Sequence, residues 1–422
     1  TVAKILELVE NASERKSKSE NFITKFAKIY TPAVVVCAVI LALFPPLIMG
    51  EPWSDWISRA LSFLVVSCPC ALVISVPLSF YMGIGSASKK GILIKGSQYI
   101  DTLAKTQAAV FDKTGTLTKG KFEVTEVAPV NPFSEEELLC GVAHAESYSN
   151  HPIARSIQEY FTQRTGETLD QSIVNDFEEL PGKGIRACVA GKIFFVGNPE
   201  IAPNAESAKK MRKIASAHTS AVIFVTIDGE YAGYFSVSDT MKPETARGIR
   251  ELKEKYNVRR IVMLTGDGEA VAHQIGSEAG IDEIHANCLP KDKVEILEAI
   301  KKQIPAGGAL TFTGDGMNDA PVLASADVGI AMGGIGSDAA IEAADVVIMK
   351  DDISSVAKAI GIAKKTVATV KTNIIFSLVV KGVVLLLSAL GISNMWIAVF
   401  ADVGVSMIAI ANALLIGKRV KC

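Results

Sequence analysis

The chain has 422 residues, more than one hydrophobic core usually organises. Hydrophobic residues make up 49% and the formal net charge is -2, so there is no basic field for nucleic acid, which is excluded as a partner. The seven cysteines are scattered and only Cys68 and Cys70 sit close together, which excludes a secreted disulfide scaffold and points to reduced chemistry with one special pair.

The chain opens on a polar helical lead-in, residues 1–28, with neither a Met start nor a signal peptide, and is expected to begin inside a longer protein. Four apolar segments, 30–49, 58–82, 373–391 and 394–416, are each near the length of about 20 residues that a membrane helix requires. Lys and Arg cluster before the first (Arg15, Lys16, Lys18, Lys25, Lys28), after the second (Lys89, Lys90) and after the fourth (Lys418, Arg419, Lys421). That bias predicts an integral, multi-pass membrane protein whose flanks and large insert are cytoplasmic. Residues 29–88 and 369–422 therefore read as two transmembrane helix pairs that contact the lipid bilayer.

Between them the pattern is soluble α/β. Short β-branched runs at Ala108–Phe111, Ala221–Ile227, Arg260–Leu264, Ala309–Phe312, Val328–Ala331 and Val346–Met349 alternate with helical stretches such as Lys242–Lys255 and Asp292–Lys302. A doubly wound parallel sheet is predicted, in two parts, 89–120 and 238–368, with a separate α+β domain inserted over 121–237.

Three strand ends carry the chemistry. The run Ala108–Phe111 delivers Asp112-Lys113-Thr114-Gly115-Thr116-Leu117-Thr118, at the carboxyl end of a strand where open α/β sheets place their active groups. A carboxylate there can attack phosphorus, and the Gly115 turn lets backbone N–H groups approach phosphoryl oxygens. Ile261–Leu264 leads into Thr265-Gly266-Asp267, and Leu310–Thr313 leads into Gly314-Asp315-Gly316-Met317-Asn318-Asp319. Carboxylates crowded at neighbouring strand ends repel unless a hard cation joins them, which suggests Mg2+. Lys293 opens a helix between the second and third motifs and is placed to neutralise phosphoryl charge.

These motifs, in this order, resemble those of P-type ATPases. The resemblance implies a haloacid-dehalogenase-like phosphorylation domain with an inserted nucleotide-binding domain and flanking transmembrane helices. It makes Asp112 the phosphorylated nucleophile, followed by Lys113, and Thr114 and Asp315 the completion of the Mg2+ site. Thr265, Gly266, Asp267, Lys293, Asn318 and Asp319 would hold the phosphoryl group or order the loops around it. The insert resembles the nucleotide-binding domain of the heavy-metal branch in Glu146, His151-Pro152, Gly182-Lys183-Gly184 and Gly197-Asn198-Pro199, which marks Glu146, His151, Gly182 and Gly184 as ATP contacts. An imidazole can stack on or hydrogen-bond adenine, and paired glycines let backbone lie flat against the purine.

Ser67-Cys68-Pro69-Cys70 falls inside the second apolar segment, where proline should kink or unwind the helix and turn both sulfurs toward one cavity. Two thiolates select a soft or borderline cation. Lys381 and Asp402 fall within the third and fourth segments, where charge is costly unless paired. The combination resembles the zinc, cadmium and lead branch of the heavy-metal ATPases, with Cys68, Cys70 and Asp402 as ligands of the transported Zn2+, Cd2+ or Pb2+ and Lys381 as a counter-charge. A copper(I) pump is the alternative, which Ser406 and Met407 keep open, with Met407 read as a packing residue. A soluble-type phosphatase of the haloacid dehalogenase class predicts Asp-x-Asp where position 114 is Thr, and a non-catalytic metal receptor or channel leaves the phosphorylation motifs without use.

Thr165-Gly166-Glu167 spells the tripeptide with which P-type pumps clear their phosphate, but it lies in the insert and reads as a coincidence. By the resemblance, the actuator domain and the earlier membrane helices are partners missing from this chain. The fragment is expected to accept phosphate from ATP without completing a transport cycle alone.

Overall fold

The computed structural model describes residues 18–50, 52–67, 70–218, 220–315, 319–333, 342–390 and 395–419. In chain order the elements are α1 (Lys18–Met49), α2 (Trp53–Val66), α3 (Cys70–Ser88), β1 (Ile92–Ile94), α4 (Ser97–Leu103), β2 (Thr106–Asp112), β3 (Thr118–Pro129), α5 (Glu135–Ala145), α6 (Pro152–Thr165), β4 (Val174–Leu180), β5 (Gly184–Val189) and β6 (Lys192–Gly197). They continue with α7 (Ala205–Ala217), β7 (Ala221–Ile227), β8 (Glu230–Met241), α8 (Thr245–Glu254), β9 (Arg260–Leu264), α9 (Glu269–Ala279), β10 (Glu283–His285) and α10 (Pro290–Gln303). The last are β11 (Ala309–Gly314), α11 (Ala320–Ser325), β12 (Val328–Met332), β13 (Val346–Ile348), α12 (Ser354–Ala389), α13 (Met395–Leu414) and α14 (Ile416–Arg419). They form two compact units.

The first unit comprises Thr1–Phe111, Ala246–Val262 and Leu289–Cys422. Its sheet runs β1-β13-β12-β11-β2, with β9 beyond β2. β11 pairs in parallel with β2 and β12, and β12 with β13, as buried apolar runs covered on both faces require. The edge strand β1 is antiparallel, Ile92 facing Ile348, and was not foreseen from three apolar residues after Gly91. Phe111, Phe312, Ile330 and Ile348 are fully buried.

Among the described residues, three helices are long and apolar enough to cross a membrane: Lys28–Ile48, Trp53–Ser88 and Ser354–Ser388. The expected fourth span corresponds to α13, whose apolar stretch among the described residues, Val399–Leu414, is shorter than a perpendicular crossing takes. The lead-in is helical over Lys18–Lys28 and continuous with α1. Over Trp53–Ser88 the described residues form two helices, α2, which ends at Val66 with Ser67 as its C-cap, and α3, which begins at Cys70; residues 68 and 69 lie outside the described residues. α12 is 36 residues without a proline, about 54 Å of unbroken helix that outruns any bilayer.

The second unit comprises Asp112–Thr245 and Met263–Cys288. Its six-stranded antiparallel sheet has the order β3-β8-β7-β6-β5-β4. The β7–β8 turn is Asp228-Gly229, both at positive φ (49° and 84°), the backbone that a two-residue hairpin demands. α5 starts cleanly because Ser134 accepts from the Glu137 N–H and three glutamates occupy its positive end. Leu138, Val142, Ile157, Phe161, Phe194 and Phe235 join α5 and α6 to the sheet in one core.

Candidate functional site

β2 is buried along its length and ends on Asp112, 7% exposed. The chain then turns through Lys113–Leu117, with Gly115 at φ 69°, and returns as β3. Lys242 Nζ donates to the Gly115 carbonyl at 2.5 Å and so holds that turn. Lys113 is almost fully enclosed, and its Nζ lies 2.5 Å from Asp267 Oδ2 and 3.4 Å from Asp239 Oδ2. A buried ammonium needs such partners, and two carboxylates sharing it lose their mutual repulsion. Asp239 also accepts from the Thr118 hydroxyl at 2.5 Å and from the Gly120 N–H at 2.9 Å. Thr114, Lys113, Gly120, Lys121, Asp239 and Asp267 line a cavity of about 330 Å3.

Thr265 is buried, and its hydroxyl accepts from the Asp267 N–H at 3.1 Å, which sets the Gly266 turn. In the first unit, Lys293 Nζ lies 2.9 Å from Asp319 Oδ1, both side chains enclosed. Gly314 is required there, since a Cβ would stand 2.8 Å from Asp319 Oδ2. Phe111 lies opposite Thr313 in the sheet register; Asp112 is the next residue on one strand, and Asp315 is two residues on along the other. Asn318 lies outside the described residues. The acidic strand ends thus carry lysines beside them, Lys113 with Asp239 and Asp267 in the second unit and Lys293 with Asp319 in the first.

Asp239 and Lys242 were missed in the sequence. The available signal was a carboxylate near the end of a β-rich run followed three residues later by Lys-Pro, Asp239-Thr240-Met241-Lys242-Pro243.

A cavity of about 500 Å3 in the second unit is lined by Glu146, Ser149, His151, Gly182, Gly184 and Asn198 among others. Burial pushes the Glu146 carboxyl up to about 7; a hydrogen bond from Ser149 opposes this and the negative charge of Glu179 adds to it. His151 caps α6, its Nδ1 accepting from the Ile153 N–H at 3.3 Å, so its neutral form carries the proton on Nε2. The two glycines differ in what they do. Gly182 sits at φ 71° with open space where a Cβ would be, whereas a Cβ on Gly184 would stand 2.0 Å from the Val196 carbonyl oxygen and 2.6 Å from Gly197 Cα. Thr165-Gly166-Glu167 is a helix stop: Gly166 caps α6 at φ 73°, and the Glu167 N–H donates to Thr165 Oγ1.

In the membrane helices, Lys381 Nζ on α12 lies 2.6 Å from Asp402 Oδ1 on α13 and 3.3 Å from the Val66 carbonyl. The Val66 carbonyl is in the last turn of α2, where a cation is favoured by the carbonyl end of the helix. Cys70 opens α3 and is half-buried; Cys68 lies outside the described residues. Met407 is 66% exposed, and Ser406 Oγ donates to the Asp402 carbonyl at 2.8 Å. Among the described residues, no three His, Cys, Asp or Glu side chains gather as a metal cluster.

Residues 106–327 match the haloacid dehalogenase-like hydrolase family. The chain is 48% identical to a cadmium, zinc and cobalt-transporting ATPase of Bacillus subtilis (strain 168), aligning over 98% of itself and 58% of that protein. It is also 48% identical to a zinc-transporting ATPase of Synechocystis sp., over 99% of itself and 57% of that protein. The crystal structure of a zinc-transporting PIB-type ATPase in the E2.Pi state superposes with a TM-score of 0.84 at 35% identity, over 98% of this chain and 66% of that one. The chain thus spans less than two thirds of the length of these relatives. It belongs to the haloacid dehalogenase-like hydrolase family and is similar over nearly its whole length to these metal-transporting ATPases.

Proposed function

We propose that this chain is the catalytic and metal-conducting part of a pump that exports zinc, cadmium or lead, driven by ATP through an aspartyl phosphate on Asp112. The observation that carries the reading is the Lys381–Asp402 pair in apolar helices, with Lys381 also on the Val66 carbonyl at the end of α2. Charged groups at membrane depth cost several kcal/mol, so a pair placed there marks a functional site such as the path of an ion. A divalent cation on Asp402 and reduced Cys68 and Cys70 replaces the lysine as the partner of Asp402, and Lys381 keeps the Val66 carbonyl. Relatives named for cadmium and zinc support this choice over copper(I), as does the outward position of Met407.

ATP is assigned to the cavity around Glu146, with the His151 Nε2–H and a neutral Glu146 as donors for adenine nitrogens. Asp112, Thr114 and Asp315 supply only oxygen ligands, which suit Mg2+ and no soft metal. That ion, when bound, screens the phosphoryl oxygens during attack. The chain's own residues do the rest. Asp112 is the nucleophile, Lys113 ties its loop to Asp239 and Asp267, and Lys293 with Asp319 offers charge to the transferred group.

The test is phosphorylation of the full-length protein by labelled ATP with zinc, cadmium, lead or copper(I) added in turn. An acid-stable phosphoenzyme stimulated by the divalent ions and abolished in Asp112→Asn is expected. Labelling that survives Asp112→Asn, or stimulation by copper alone, would sink the reading.

A further inference from the structure

α3 and α12 meet along one seam. A Cβ on Gly83 of α3 would stand 2.6 Å from Thr366 Oγ1 and 2.9 Å from its Cγ2 on α12, so these two positions face each other without room for more. Residues at intervals of three or four share a helix face. On α3, Ser75 and Ser79 therefore share the face of Gly83; on α12, Asn373, Ser377 and Lys381 share the face of Thr366. Gly83 is buried, Ser75, Ser79, Thr366, Asn373 and Ser377 are at most 2% exposed, and Lys381 is 6% exposed.

The polar groups of this seam divide into two kinds. Most are occupied: Ser79 Oγ donates to the Ser75 carbonyl, Thr366 Oγ1 to the Ile362 carbonyl, and Asn373 is fixed between the Ala409 carbonyl and Asn412. Ser75 Oγ and Ser377 Oγ, both 0% exposed, have no partner among the described residues. A helical serine ordinarily satisfies itself on the carbonyl four residues back, as Ser79 does, and in a membrane it has no water to turn to. These two hydroxyls have left that bond. They sit just short of the ion pair, on the side of the catalytic sheet: Ser377 lies four residues before Lys381 and Ser75 five after Cys70, about 6 and 7.5 Å of helix rise.

We propose that Ser75 and Ser377 form an oxygen-lined station for the transported divalent cation on its way from the catalytic side to the sulfur and carboxylate site. A cation that must exchange water for thiolate sheds its shell in steps, and two hydroxyl lone pairs replace waters before sulfur does. The station ends on the catalytic side at Asn373, whose amide is already engaged, and on the other side at Lys381, which the arriving positive charge displaces from Asp402.

This inference rests on the pump reading, and its test is separable from the test of that reading. Full-length protein in lipid nanodiscs, with Ser75→Ala and Ser377→Ala combined, is assayed for phosphorylation by ATP across a zinc series. Zinc affinity at equilibrium and sulfur coordination by X-ray absorption are measured on the same samples. The apparent KM for zinc is expected to rise about tenfold, the size of a typical coupling between sites, with kcat, equilibrium zinc affinity and sulfur coordination unchanged. An unchanged KM, as for hydroxyls that hold only a buried water, overturns the proposal; so does a fall in kcat of similar size, which marks a structural role. The single S377A variant carries the same readout should the double variant fail to insert. Failure of the wild type to phosphorylate, or persistence of labelling in Asp112→Asn, counts against the pump reading instead.

Discussion

Glu146→Gln should make the nucleotide-binding region more stable at pH 8 and leave it unchanged at pH 4.5. The wild-type carboxyl titrates near 7 in the fold against an ordinary value of 4.5, chiefly because it is buried. Below 4.5 both folded and unfolded chains hold the proton, and folding is indifferent to pH. Between 4.5 and 7 the unfolded chain releases it while the folded chain keeps it, so stability falls as pH rises, and above 7 the whole penalty is present. A difference of about 2.5 units corresponds to about 3 kcal/mol, little reduced by screening at a site 7% exposed. Glutamine keeps the shape and the donor without the charge. The second unit contains no tryptophan, so tryptophan fluorescence is blind to it. Hydrogen exchange of the α5 amides, Leu138–Ala145, corrected for intrinsic rates, reads the local stability directly. Protection in the wild type should drop between pH 5 and 8 by about 2 kcal/mol or more, and E146Q should flatten the curve. Protection that rises over that range, or an E146Q curve parallel to the wild type, refutes the assignment of a neutral, buried carboxyl.

Gly184→Ala must push β5 from β6 at the Gly184–Gly197 pair and adopt φ 144°, which sums strain and overpacking to about 2–5 kcal/mol. Gly182→Ala meets open space and costs about 1 kcal/mol for its positive φ. Thermal melts with and without ATP should rank the two in that order, and equal losses would deny the cross-strand contact its role. Lys381→Met leaves Asp402 buried without its cation, a change that typically costs about 3–5 kcal/mol, whereas Lys381→Met with Asp402→Leu removes both charges and should recover most of that loss while zinc stimulation stays lost. Yield of folded protein in detergent and zinc-dependent phosphorylation read the two halves, and a double variant no better folded than the single would rule out a paired charge.

The sequence was most legible where a single short run decides the outcome. Arg260–Leu264 and Ala221–Ile227 are strands at the expected residues, because each is a β-branched run whose burial needs no partner to be named. The Asp112 loop was legible for the same reason: one glycine at φ 69° returns the chain from a buried strand. Asp239 was not, because its meaning comes from Lys113, 126 residues away, and a carboxylate near a strand end with no visible partner reads as a turn residue. The glycines near the nucleotide cavity show the same limit from the other side. Gly182 and Gly184 look alike in the sequence, yet one is glycine for its backbone angle and the other because Gly197 of the next strand leaves no room for a methyl.

The membrane site lies between these cases. Its charges could be picked out as misfits in apolar segments, and Pro69 announced a break, since both are properties of one residue in its local surroundings. What meets the end of α2 could not be read, because the Val66 carbonyl there accepts from an ammonium 315 residues further along the chain. Nor could the serines, which are ordinary in a membrane helix until one asks where each hydroxyl bonds. Ser79 and Ser75 are one turn apart and chemically identical, and only the fold shows that the first is satisfied and the second is not. In this chain the residues that start chemistry are written locally, while those that receive, hold and pass on a charge acquire their role from partners that folding supplies.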